Sequence, residues 1–135
     1  MITADPYSRT LKVTNEMLAS RVFDGAPSVF STPALVELIE IAAHRLIEGV
    51  LMGGETSVGT EIQLKHLSPT AEGMTVECVV KIIANKGKFY EFEFRAHDGH
   101  SVIGEGIHKR AVVNRESIER KATENNRAQK NSPAD

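Results

Sequence analysis

An α+β fold, with a curved antiparallel β-sheet wrapped around one long central helix, is predicted by three features of the sequence. One long apolar helix, marked at both ends, lies between Ser31 and Gly49. Four strand-like runs follow it, separated by turns, and a shorter alternating run precedes it. One helix cannot cover both faces of such a sheet. It can lie across a concave face while the sheet curls round it.

The helix is the most strongly specified element. Thr32 stands where a capping side chain is expected, and Pro33 fits the first helical position, where its missing N–H costs nothing. Gly49 is placed to close the C-terminus. Leu35, Val36, Leu38, Ile39, Ile41, Ala42, Ala43, Leu46 and Ile47 leave almost no polar face, so burial on most sides is expected. Glu40 falls among them. A buried carboxylate costs free energy unless it is paired or hydrogen-bonded, so Glu40 is a first hint of a site.

The remaining elements read in order. Residues 9–14 alternate as a first strand. Asn15 to Ser31 is irregular but carries Met17, Leu18, Val22, Phe23, Val29 and Phe30, as a packed loop or a flap would. Met52 to Glu55 is a turn. Ser57 to His66 alternates, with Val58, Thr60, Ile62, Leu64 and His66 on one face and Gly59, Glu61, Gln63 and Lys65 on the other. A strand from Met74 to about Ala84, a hairpin signal at Asn85 to Lys88, and a return strand Phe89 to His97 follow. Tyr90, Phe92, Phe94 and Ala96 share one face of that return strand. Ser101 to Val113 is a last strand whose Gly104 and Gly106 mark a bulge or close backbone approach. The pairs Arg115/Glu119 and Glu116/Arg120 support a short exposed helix, with Asn125 to Asp135 as a solvated tail. The chain thus divides into one domain, residues 1–118, and a polar tail or exposed helix, residues 119–135. This order is the hotdog arrangement. Such sheets pair edge to edge, so a homodimer or a higher oligomer is expected.

The totals exclude several classes. A length of 135 residues allows one domain with a real core, and a net charge of −2 gives no pull toward nucleic acid or an anionic membrane. No apolar run is long enough to span a bilayer, and the N-terminus lacks the plan of a secretory signal. The lone Cys78 excludes an internal disulfide and reads as a buried apolar residue, so a cytoplasmic protein is expected. No Cys/His cluster has metal-ligand spacing, and no Walker or dinucleotide fingerprint is present, so neither metal nor cofactor is expected.

Three groups can carry chemistry: Thr32 at the helix mouth, Glu40 within the helix, and His66 at the inward-facing end of a strand. Histidine transfers protons near neutral pH. A carboxylate acts as nucleophile, base or orienter, and the free N–H groups of a helix N-terminus can stabilise an oxyanion. Each residue also has a plain structural reading: a cap, a partner for an arginine such as Arg110, and a hydrogen-bonded strand end. His44 reads as a satisfied core histidine and Arg45 as a solvent-facing charge. His97 and His100 flank a turn and read as exposed, and His108 has no clear partner.

Together these residues resemble a known family. Ser31-Thr32-Pro33-Ala34-Leu35 with Glu40, Ser57-Val58-Gly59-Thr60, His66-Leu67-Ser68-Pro69-Thr70 and Gly73-Met74-Thr75-Val76 are similar to the fluoroacetyl-CoA thioesterase-like branch of the hotdog superfamily. So are Ala96-His97-Asp98-Gly99, Ile103-Gly104-Glu105-Gly106 and His108-Lys109-Arg110-Ala111-Val112-Val113, and the likeness spans residues 10–118. The resemblance implies hydrolysis of an acyl-CoA thioester by Thr32, Glu40 and His66, with coenzyme A as part of the substrate and no separate cofactor. His66 would activate a nucleophile or water, Glu40 would orient it or attack, and Thr32 would hold the thioester carbonyl or the reacting carboxylate. Gly59 corresponds to a glycine lining the acyl-CoA site, and Arg110 to an arginine near it. Phe23 and Phe30 fall in the stretch corresponding to an apolar lid over the substrate, here broken by Asp24-Gly25-Ala26. A short-chain acyl-CoA is therefore expected rather than the fluorinated one. A hotdog hydratase or dehydratase and a non-catalytic acyl-CoA-binding module are the alternatives.

Overall fold

The computed structural model describes residues 1–132. Strand β1 (Tyr7–Lys12) is followed by two single 3₁₀ turns (Asn15–Met17 and Ala19–Arg21), then helix α1 (Thr32–Ile47) with a 3₁₀ extension (Glu48–Val50). Strands β2 (Glu55–His66), β3 (Thr75–Lys86), β4 (Phe89–His97) and β5 (Val102–Asn114) come next, then helix α2 (Arg115–Lys130). All pairings are antiparallel, in the order β1-β3-β4-β5-β2. The predicted architecture is present: a five-stranded sheet with α1 against its inner face.

The core lies between them. Leu35, Leu38, Ile39, Ala42, Ala43, Leu46 and Ile47 of α1 are buried against Val76, Cys78, Val80, Phe92, Phe94, Ala96 and Ile103 of the sheet. Alternation in β4 holds as read, with Tyr90, Phe92, Phe94 and Ala96 inward. Each such large side chain, once buried, contributes on the order of 1.5–3 kcal/mol. At the β3–β4 hairpin, Gly87 takes φ +61°, a conformation open to glycine at little cost. A Cβ on Gly106 would stand 1.8 Å from the Gln63 carbonyl oxygen, so only glycine lets β2 and β5 curl together there.

Four local expectations about the helices are corrected. Ser31, not Thr32, is the N-cap: its hydroxyl accepts from the Ala34 amide at 3.1 Å, and Thr32 is the first helical residue. Gly49 does not close α1, which tightens instead into the Glu48–Val50 turn. A Cβ at Gly49 would fall against the Met1 carbonyl of the exposed N-terminus. The helix is not enclosed on most sides either: Glu37 and Arg45 are exposed, and Val36, Glu40 and Ile41 are half-buried. At the other end, α2 runs much further than a short helix, to Lys130. Asn114 caps it by accepting from Ser117, and it buries no residue. Of the expected tail, residues 133–135 lie outside the described residues.

Strand β2 departs from simple alternation. Gly59 pairs with Arg110 and Glu61 with Lys109, so Thr60 is an extra residue, a β-bulge. A bulge shifts a two-residue period by one. Beyond it Ile62, Leu64 and His66 face the core side as predicted. Before it, Ser57 and Gly59 face inward, in place of the expected Val58 and Thr60.

The cap assignment is directly testable. Ser31→Ala is expected to lower unfolding stability by about 1 kcal/mol in urea denaturation. Thr32→Ala, which leaves the cap intact, is expected to change it by well under that.

Candidate active site

Two polar groupings lie along α1. At its N-terminus, freed from capping, the Thr32 hydroxyl meets His66 Nδ1 at 2.8 Å. The other ring nitrogen, Nε2, is buried with no hydrogen-bond partner among the described residues. Burial lowers the His66 pKa from its ordinary value, so the ring is neutral at pH 7. Of the first helical amides, Thr32 N–H has no partner among the described residues, Pro33 has no N–H, and the next two are occupied. Ala34 N–H goes to the Ser31 hydroxyl and Leu35 N–H to the Ser31 carbonyl. A neutral imidazole oriented by a hydroxyl can move a proton.

The second grouping surrounds Glu40, about 12 Å further along the helix at 1.5 Å per residue. A Cβ placed on Gly59 would lie 3.1 Å from Glu40 Oε1, 3.3 Å from His108 Cε1 and 3.4 Å from an Arg110 terminal nitrogen. Gly59 therefore lets three polar side chains pack close against the β2 backbone, where a Cβ would be crowded. Glu40 is not buried: 46% of its side chain is exposed, against 7% for Arg110, and the two stand 3.8 Å apart. Arg110 donates through Nε to the Ser57 hydroxyl at 2.8 Å, and through a terminal nitrogen to the Ser57 carbonyl at 3.0 Å. Its other terminal nitrogen meets His108 Nε2 at 3.2 Å, and His108 Nδ1 reaches the Glu61 carbonyl at 2.9 Å. The Ser57 hydroxyl also meets His44 Nδ1 at 2.6 Å. Burial lowers the pKa of Arg110, and Glu40 opposes that shift.

The structure thus joins Thr32 with His66, and Glu40 with Gly59 and Arg110, but does not bring the two groups together within one chain. Ser57, His44 and His108 were missed as site neighbours. His108, far from lacking a partner, is fully buried with two. Its place in β5, two residues before Arg110 on the same face, was the available signal. Phe23 and Phe30 separate: Phe23 is 65% exposed, whereas Phe30 is 1% exposed and part of the core. Phe30 therefore offers no surface to a substrate, and Leu18 packs with it where the two chain segments bridge. His97 is held by Glu77 at 2.9 Å. Cys78 is buried in the core, its thiol pushed up to about 12 mainly by burial. Among the described residues no helix is long and apolar enough to cross a membrane, and no group of His, Cys, Asp and Glu has a metal-binding arrangement.

Comparison with known proteins decides the family. The family model described as fluoroacetyl-CoA-specific thioesterase (FlK) matches residues 13–116. The chain belongs to the FlK thioesterase family. A fluoroacetyl-CoA thioesterase from Streptantibioticus cattleyicolor is 37% identical over 95 residues, 70% of this chain and 68% of that protein. The solved structure of an FlK variant with fluoroacetate and CoA superposes with a TM-score of 0.85 at 30% identity, covering 88% of this chain and 98% of that one. A thioesterase superfamily member from Thermus thermophilus, at 21% identity and TM-score 0.86, covers 98% of both chains and shares the fold. As an FlK family member, the chain is a hotdog-fold thioester hydrolase.

The neutral histidines have a stability consequence in this FlK relative. Burial is the largest cause lowering the pKa of His44, His66 and His108 below the ordinary 6.5. An unfolded chain binds protons there that the folded one refuses, so folding is favoured above about pH 6.5 and loses stability as pH falls below it. The melting temperature is expected to drop between pH 7.5 and 5.5, and the drop to shrink in His108→Gln. The depressed carboxylates Glu55, Glu77 and Asp98 titrate below that window.

Proposed function

We propose that this thioester hydrolase cleaves a small acyl-CoA to the free acid and CoA using Thr32, Glu40 and His66. In this reading the set is completed by two copies of the chain. The observation that carries it is the split: the Thr32–His66 pair has an unpartnered Nε2, while Glu40 stands half-exposed beside Gly59. Strand β2 is a sheet edge. Antiparallel pairing of two β2 edges continues the sheet from one copy into the other and runs the Gly59 half of one strand beside the His66 end of its partner. Glu40 of one subunit then faces Thr32 and His66 of the other across a continuous sheet.

In this arrangement His66 donates Nδ1–H to Thr32 and keeps a basic lone pair on Nε2. Water held by Glu40 loses a proton to Nε2 as its oxygen bonds to the thioester carbon. The C–S bond then breaks, and the proton passes to the departing CoA sulfur. The exposed Phe23 stands in the stretch that would cover the substrate. No cofactor is needed for these steps. A cytoplasmic location fits an acyl-CoA substrate.

Free-thiol release from a panel of acyl-CoAs tests this reading. Glu40→Ala and His66→Ala homodimers are each expected to lose 10²–10⁴-fold in kcat, the usual worth of a positioned acid–base group. Refolding the two inactive variants together should restore about a quarter of the activity, because one of the two sites in a mixed dimer regains both residues. No recovery from correctly mixed dimers would overturn the shared site. Binding without turnover across the panel would favour an acyl-CoA-binding module.

A further inference from the structure

A guanidinium has donors and no acceptor, so Arg110 sets the direction of every hydrogen bond around it. The Ser57 hydroxyl accepts from Nε at 2.8 Å and therefore turns its own proton to His44 Nδ1 at 2.6 Å. That leaves the proton of the neutral His44 ring on Nε2, with the Glu48 carboxylate 3.7 Å away. His108 Nε2 accepts from the terminal nitrogen at 3.2 Å, so its proton is on Nδ1, which donates to the Glu61 carbonyl at 2.9 Å. Phe92 stacks against the His108 ring, with centroids 6.1 Å apart. The links run outward from Arg110, through Ser57 to His44 on one side and through His108 to the Glu61 carbonyl on the other. The bulge at Thr60 sets this up, since it turns Ser57 inward.

The distance to Glu40 matters most. An arginine beside a carboxylate ordinarily closes to a paired contact of 2.7–2.9 Å. Here the separation is 3.8 Å, too long for a hydrogen bond. The guanidinium cannot approach without giving up bonds to Ser57 or His108. We propose that Ser57 and His108 are positioning residues that hold Arg110 back from Glu40, so that the carboxylate has a fixed positive neighbour yet stays free to engage substrate. This inference rests on the reading of Glu40 as part of the hydrolytic site.

Crystal structures and acyl-CoA hydrolysis of three variants test it. His108→Leu removes the acceptor, Ser57→Ala removes the hydroxyl, and His108→Gln returns an acceptor where Nε2 stood. In His108→Leu and Ser57→Ala the Arg110–Glu40 contact is expected to close below about 3.2 Å. Their kcat is expected to fall about 10²-fold, the scale of a 1 Å misplacement, with KM little changed. His108→Gln should keep the long contact and recover most of the kcat. Should His108→Leu fail to fold, Ser57→Ala carries the same test, since it only removes one buried oxygen. A contact that stays near 3.8 Å in both disrupted variants, or full activity once it has closed, would overturn the proposal. If Glu40→Gln is fully active the reading of the site is what fails, while the contact distances still judge the clamp on their own.

Discussion

A single extra residue in β2 governs how this chain presents its polar groups. The bulge at Thr60 gives one strand two inward parities: Ser57 and Gly59 before it, Ile62, Leu64 and His66 after it. Without the shift, the side of β2 that serves His66 would leave Ser57 pointing at solvent. Ser57 would then anchor neither Arg110 nor His44, and Gly59 would not let Glu40 pack against the β2 backbone. Bulges cost a ladder bond and bend the strand, and they are placed where a side chain must be re-aimed.

Helix α1 supplies the matching half. With Ser31 as its cap, the Thr32 hydroxyl is released from the backbone and bonds His66. Two turns further on, Glu40 and His44 lie one turn apart on the side facing β2 and β5, where Arg110 waits as a buried charge. A buried guanidinium is costly unless its donors are met, and Ser57 and His108 meet them. The polar cluster therefore belongs to the packing of the domain as much as to its chemistry. The core residue Phe92, stacked on the His108 ring, supports it.

Much of this was legible from pattern alone. The inward face of β4, the hairpin at Gly87, the helix and the inward aim of His66 follow from periods of two and 3.6 residues and from turn residues, which are local properties. The errors were also local. Ser31 and Thr32 are adjacent and both suited to capping, so composition could not choose between them. A bulge leaves no mark in alternation when the residues on both sides of it are polar or small, as Ser57, Gly59 and Thr60 are. A helix with so many apolar residues reads as enclosed, and Glu40 with it, whereas only one side of α1 meets the sheet.

The sequence by itself determined the α+β architecture, the family likeness, and the residue types able to transfer a proton or hold a carboxylate. All of these are encoded in short-range spacing and composition. Only the tertiary structure decided who meets whom. It joined Thr32 to His66 across 34 residues and Arg110 to Ser57 across 53, and it set Glu40 apart from His66 within one chain. Such pairings depend on strand register and on where a bulge falls, and register is a property of two strands packed together rather than of either one.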